Sequence, residues 1–487
     1  MPSSSRSVLT LSVCLFLVLL TGCGGSSSSG NPSNPPGNGG GQTGSDIRAV
    51  NHVLAMMQEN RSFDSYFWAM TDYRRRNNIP INSSDGKIKD GSDPDAAKMA
   101  TNNISPATGQ AIAPYHTGSI CTEDLTPDWA ESHKQMNLEN PAAAGPGSPM
   151  NGFVTVAYGL SQFYQVLADK DGHRAMGYFD ENDLNYYYFV ASQFAMADMF
   201  FSPVATRTSA NRMYFHAGTS QGLVHPDSST ITQLNAKTIW RALDEKGVSW
   251  KIYVSDWGIN NWTFFNFFTD SNDLARRAKI VPIDEYFSDV ANGTLPAVAF
   301  IETGMSTGRD EHPTNNPGVG VPVPPEQAIR VQSGAAWTAR IINALMNSPS
   351  WKDSVFFWTF DEGGGAFDHV PPISVVNPDG IKPRDLDPVK DCFGQPCSNF
   401  DFNITGFRVP NFIVSPFAKK HYVSHTPMDF TAILKFIETR WEIPPLTERD
   451  RSMPDMTEFF DFRNPPWATP PTPPAQKVNG ICDFTKQ

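Results

Sequence analysis

Ser354-Val-Phe-Phe-Trp-Thr-Phe-Asp-Glu-Gly-Gly-Gly-Ala-Phe-Asp-His369 sets the fold class of the whole chain. Val355 to Phe360 carry no charge, and an unbroken apolar and β-forming run is what a strand buried on both faces requires. In a parallel sheet, ligands collect beyond the carboxyl ends of the strands, which is where Asp361 and Glu362 fall. The three glycines that follow let the backbone leave the strand through conformations closed to other residues. Two adjacent carboxylates, then Asp368-His369 within the same nine residues, suit a hard cation and phosphoester chemistry. The alternative is a solvated turn with ordinary capping acids.

The pattern repeats elsewhere. Val53 to Met57 reads as a second buried strand with Glu59-Asn60 at its end, and two strands ending in oxygen donors can share one metal ion. Val248 to Val254, Ala297 to Glu302 and Val409 to Ser415 read as further strands. The spacing predicts helices over 177–199, 239–246, 335–346 and 429–441, with Asp183 available to cap the first. Strands alternating with helices predict an α/β fold, a mostly parallel central sheet with helices on both faces and long loop insertions. Residues 71–152 are polar and form the largest excursion, holding His116, Asp124, Trp129 and His133. Thr208 or Ser209 opens a short helix, where free backbone N–H groups bind anions and help a hydroxyl ionise. A plain helix cap is the other reading.

The 487 residues bear a formal net charge of −12 with no basic stretch, which argues against a nucleic-acid partner. At the N-terminus, Arg6 and the apolar run Val8 to Leu20 read as an export signal, too short to span a bilayer comfortably. Leu20-Thr-Gly-Cys23 resembles a bacterial lipobox. Residues 1–22 are therefore expected to be a lipoprotein signal peptide, with lipid on Cys23 anchoring the protein to a bacterial membrane, on the outer-membrane/periplasm side or at the cell surface. Residues 23–46 are expected to act as a Gly/Ser/Pro tether, 47–463 as the catalytic domain and 464–487 as a proline-rich tail extended along the surface. Cys121, Cys392, Cys397 and Cys482 form an even set with three possible disulfide connectivities. Cys392 and Cys397 flank four residues and can close a small loop, leaving Cys121 to Cys482; a zinc site is the rival.

Several segments together resemble the bacterial phosphoesterase family of phospholipases C and acid phosphatases, within the alkaline-phosphatase superfamily. The matching pieces are Gln58-Glu-Asn-Arg-Ser-Phe-Asp64, Thr208-Ser-Ala-Asn-Arg212, Asp310-Glu-His-Pro313, Asp361-Glu-Gly-Gly-Gly365 with Phe367-Asp-His-Val-Pro-Pro372, Arg408-Val-Pro410, Ser415-Pro416, Leu446-Thr447 and Arg449-Asp450. They run in the family's order from residue 51 to about residue 462. The resemblance implies metal-dependent hydrolysis of a phosphate monoester or phospholipid. Glu59, Asn60, Asp361 and Glu362 would hold one divalent metal ion. Thr208 would be the nucleophile, passing through a phosphothreonine. Asn211 would bind a phosphoryl oxygen, and His312 and His369 would contact the phosphoryl group or protonate the leaving oxygen. Arg61 and Arg212 are expected to be buried ion-pair partners, and Asp368 a structural partner of nearby backbone.

Two departures stand out. Pro127 occupies a position where members often carry His, which leaves that role to His133 or His116 or weakens catalysis. Thr206-Arg207 and Ala210 replace the usual Gly-Pro before the nucleophile and the Pro before Asn211, so Arg207 either adds charge beside the phosphate or is solvated. Competing readings are a surface-tethered binding protein of the same fold without turnover, and a glycosidase using Glu59 and Glu362.

Overall fold

The computed structural model describes residues 45–226, 232–315 and 319–487. The expected signal peptide, the lipid site at Cys23 and nearly all of the tether lie outside the described residues. No helix among the described residues is long and apolar enough to cross a membrane.

Eight strands form the central sheet: β1 (His52–Gln58), β2 (Ala195–Ala197), β3 (Trp250–Val254), β4 (Ile280–Pro282), β5 (Val298–Glu302), β6 (Ser354–Phe360), β7 (Asn411–Val414) and β8 (Tyr422–Ser424). Their order is β8-β2-β7-β6-β1-β5-β3-β4. All pairings are parallel except those of β7, which runs antiparallel to β6 on one side and to β2 on the other. The fold is thus α/β with a mostly parallel sheet. β1 and β6 sit side by side at the centre, paired from His52–Ser354 to Gln58–Phe360, so their chains leave the sheet at the same level. Every residue of β6 is buried, as its apolar run demands.

Helices cover the sheet in two sets. Ile283–Asn292 packs on Val331–Met346, which packs on Asn185–Gln193; Thr431–Trp441 packs on Thr208–Ala217, which packs on Ile239–Glu245. The segment read as one helix over 177–199 is shorter. Its helix is Asn185–Gln193, begun at Leu184 rather than capped by Asp183, and Ala195–Ala197 then turns into β2. The long excursion contributes helices of its own, including Trp129–Met136 and Phe153–Tyr164. Both expected disulfides are present, Cys121–Cys482 and Cys392–Cys397.

Candidate active site

The helix Thr208–Ala217, here α1, places the centre. Its N-terminus has no side-chain cap, so first-turn N–H groups remain for an anion. Thr208 and Arg212 stand four residues apart and share one face. Arg212 is buried and reaches under the carboxyl ends of β1 and β6, donating to the Met57 carbonyl at 3.1 Å. It pairs with Glu59 at 3.0 Å, Asp361 at 3.3 Å and Glu302 at 3.5 Å. The guanidinium thereby locks α1 to the strand ends, and the Thr208 hydroxyl lies beside Asp361, where it helps to lower that carboxyl.

One guanidinium does not balance these acids. Burial, with the Glu59 charge added, raises Asp361 to about 7, and burial raises Glu302 to about 7 as well. Burial and the Asp361 charge push Glu362 well above the usual carboxylate range; burial and Glu59 do the same to Asp310. Asn60 Oδ1, Asp361 Oδ1 and Glu362 Oε1 are buried without a hydrogen-bond partner, and Glu59 Oε1 meets only the Arg212 guanidinium of its ion pair. Buried oxygens left unpaired are costly, and three of them beside the Glu59 carboxylate, in a neighbourhood short of positive charge, fit a hard divalent cation. Glu59, Asp361 and Glu362 stand wider apart than a bound ion would draw them. The clusters that do gather within 4.8 Å, among the described residues, are Asp64–Asp368–His369, His116–Asp180–Asp183 and Asp169–Asp171–His173. The Arg212 side chain stands between Glu59 and Asp361.

A cleft of about 460 Å³ opens onto this centre, lined by Asn60, Asp124, Leu125, Thr126, Pro127, Asp128, Leu160, Tyr164, Arg207, Thr208, His312 and Asn315. His312 donates from Nδ1 to the Pro313 carbonyl at 2.5 Å, which leaves Nε2 for a ligand. Although burial opposes it, the charges of Asp124, Glu59 and Asp310 raise the His312 pKa above its ordinary value. The carrying loop is itself held by Arg61, which donates to the Glu311 carbonyl, and by Glu311, which accepts from Tyr66 at 2.6 Å and Gln58 at 2.9 Å. Arg61 thus works through the Glu311 carbonyl and the Thr122 hydroxyl rather than the expected ion pair.

Two of the expected residues are placed in other contacts. Asn211 was expected on a phosphoryl oxygen, but its amide donates to the carbonyls of Thr206 at 2.7 Å and Arg207 at 3.3 Å and accepts from Val204 N–H at 3.0 Å. Its groups are spent bracing the loop that presents Thr208. His369 does not line the cleft: its Nδ1–H donates to Asp64 at 2.7 Å and its ring meets the Trp68 ring edge-on. Arg408 bonds both Asp64 and Asp368, so a cation already serves that cluster and Asp368 is part of an ion pair.

Neither substitute for the missing histidine at Pro127 reaches the cleft. His133 is buried against Trp129, donates to the Trp129 carbonyl, and is lowered by burial to about 4; His116 pairs with Asp183 at 2.7 Å. His312 is therefore the one imidazole among the cleft's lining residues. Asp128, Tyr164, Asn315 and Glu302 were missed in the sequence because they lie outside the matching segments; Glu302, ending a predicted strand just as Glu59 follows one, carried a usable signal.

A hydroxyl at a helix N-terminus, set over buried acids where parallel strands end, defines an enzyme that handles an oxyanion ester. The model of the Phosphoesterase family matches residues 50–444, and the chain belongs to that family, hydrolases acting on phosphoric ester bonds. Phospholipase C B of Mycobacterium tuberculosis is 27% identical over 469 residues, covering 89% of this chain and 81% of that protein. Non-specific phospholipase C4 of Arabidopsis thaliana is 28% identical over 404 residues, covering 79% of this chain and 65% of that protein. A solved protein in the alkaline phosphatase superfamily from Vibrio parahaemolyticus aligns with 55% of this chain and 63% of its own, at 15% identity and a TM-score of 0.33.

Proposed function

We propose that the protein is a metal-dependent phosphoesterase of the phospholipase C or acid phosphatase type that works through a phosphothreonine on Thr208. The observation that carries this reading is the set of three unpartnered buried oxygens on Asn60, Asp361 and Glu362, with the Arg212-paired Glu59 carboxylate, beside the Thr208 hydroxyl. Those four residues would hold a divalent cation, which supplies positive charge against the phosphoryl oxygens and eases ionisation of the hydroxyl. Thr208 gives up its proton to water and its Oγ1 forms the bond to phosphorus while the free N–H groups of α1 bind a non-bridging oxygen; Oγ1 takes a proton back from water when the phosphothreonine is hydrolysed. His312, as imidazolium, gives its proton to the leaving oxygen as that bond breaks, then takes a proton from the water that hydrolyses the phosphothreonine. Arg212 holds α1 in place throughout. The phospholipase C names of the relatives support a phospholipid or another phosphate ester as substrate.

Hydrolysis of p-nitrophenyl phosphate and p-nitrophenylphosphorylcholine, with and without a chelator, tests the reading. Wild type should lose activity on chelation and regain it with a divalent metal, and Thr208→Ala should be inactive. Full activity in Thr208→Ala removes the nucleophile assignment, and indifference to exhaustive chelation removes the metal. Export and anchoring through Cys23 rest on the lipobox-like segment. Labelling with a fatty acid in cells should mark the wild type and spare Cys23→Ser.

A further inference from the structure

Arg207 immediately precedes the nucleophile and lines the same cleft as Thr208 and His312. Its side chain is half exposed, and it is steered by an ion pair with Asp128. Asp128 is itself shared with Lys390 at 3.6 Å, and Asp124, the other acid of the cleft wall, faces the charge of His312. Both wall acids thus already answer a cation, and neither is free to hold a cationic head group. Tyr164 is the one Phe, Tyr or Trp among the cleft's lining residues, whereas quaternary ammonium groups are recognised by several such rings acting as a cage. A guanidinium presents five N–H donors in a fixed fork, and the contacts to one Asp128 oxygen leave others for a phosphoryl oxygen.

We propose that Arg207 makes this a site for dianionic phosphate monoesters in preference to choline-type phosphodiesters. This rests on the phosphoesterase reading above. A monoester carries a second terminal oxygen charge where a diester carries its second ester group, and Arg207 rewards that charge. Asp128 acts as a positioning residue, holding the fork toward Thr208.

The test measures kcat and KM for p-nitrophenyl phosphate and p-nitrophenylphosphorylcholine, and inhibition by inorganic phosphate, for the full-length protein and its variants. Arg207→Ala should lower kcat/KM for the monoester by about tenfold or more, the usual scale of a lost charge-assisted hydrogen bond, and weaken phosphate inhibition in parallel. Diester turnover should change by less than about threefold. Arg207→Lys should restore part of the monoester activity, because it keeps the charge without the fork. Asp128→Asn should raise the monoester KM with little change in kcat. Equal losses on both substrates in Arg207→Ala, or unchanged phosphate inhibition, overturn the proposal while leaving the phosphoesterase reading intact. A wild type that turns over neither ester with any divalent metal overturns both.

Discussion

Arg212 meets three carboxylates and two backbone carbonyls with a single buried guanidinium, so its loss leaves charges with no nearby relief. Removing one partner of a buried ion pair costs about 3–5 kcal/mol. Arg212→Met should therefore lower unfolding free energy by that amount in urea titrations and abolish phosphoester hydrolysis, whereas a change under about 1 kcal/mol would deny Arg212 its central place. His216 offers a prediction in pH. It is buried among Phe265, Phe268 and Phe300, accepts from Trp240 Nε1 at 2.8 Å, and burial lowers it to about 3. The unfolded chain binds that proton near pH 6.5, so this contribution to stability is complete above about 6.5 and is lost as pH falls toward 3. The melting temperature should drop less steeply between pH 6 and 4 in His216→Gln than in wild type; equal slopes would contradict the assignment. Single-residue roles were only partly legible in the sequence. Arg212 could be read as an ion-pair partner because it lies in a matching segment. His369 could not, because its partner Asp64 lies 305 residues away in sequence and only the fold brings them together.

The turn after β6 shows why an element needs its particular residues. Gly364 has φ +65°, and a Cβ there would stand 2.2 Å from the Asn60 carbonyl oxygen. The two segments that close the candidate metal site thus lean on each other through a position that excludes any side chain. Gly247 has a similar φ, +67°, but open space around it. Gly247→Ala should cost about 1–2 kcal/mol, the left-handed penalty alone. Gly364→Ala should cost more in denaturant titration and also displace Asn60, with loss of metal-stimulated activity. Equal costs for the two would show that contact with Asn60 is unimportant. The strands leading into this turn were legible because β1, β5 and β6 are continuous apolar runs. Ala195–Ala197 was not, since Ala-Met-Ala continues a helical pattern and becomes a strand by pairing with β7 and β8.

At the scale of the whole molecule, the C-terminal segment braces the cleft. Trp467 is buried, Gly480 N–H donates to Gln332 at 2.9 Å, and Cys482 is bridged to Cys121, three residues before Asp124. Gln487 donates to Glu123 at 2.6 Å and accepts from the Glu123 N–H at 2.6 Å, next to the cleft wall. A disulfide closing so long a loop stabilises by about 3–5 kcal/mol. Cys121→Ser with Cys482→Ser should melt several degrees lower and show a raised KM, because the Asp124 wall loses its tie; an unchanged KM would mean that the strap supports stability alone. The pairing of these cysteines was legible by elimination, but its closeness to the cleft was not, since 361 residues separate the two.

The burial of Gln487 also bears on how the protein can be handled. An affinity handle or fluorescent label attached to the Gln487 side chain would compete with Glu123 for its bonds beside the cleft. Ser45, exposed ahead of β1, is the better place to attach one.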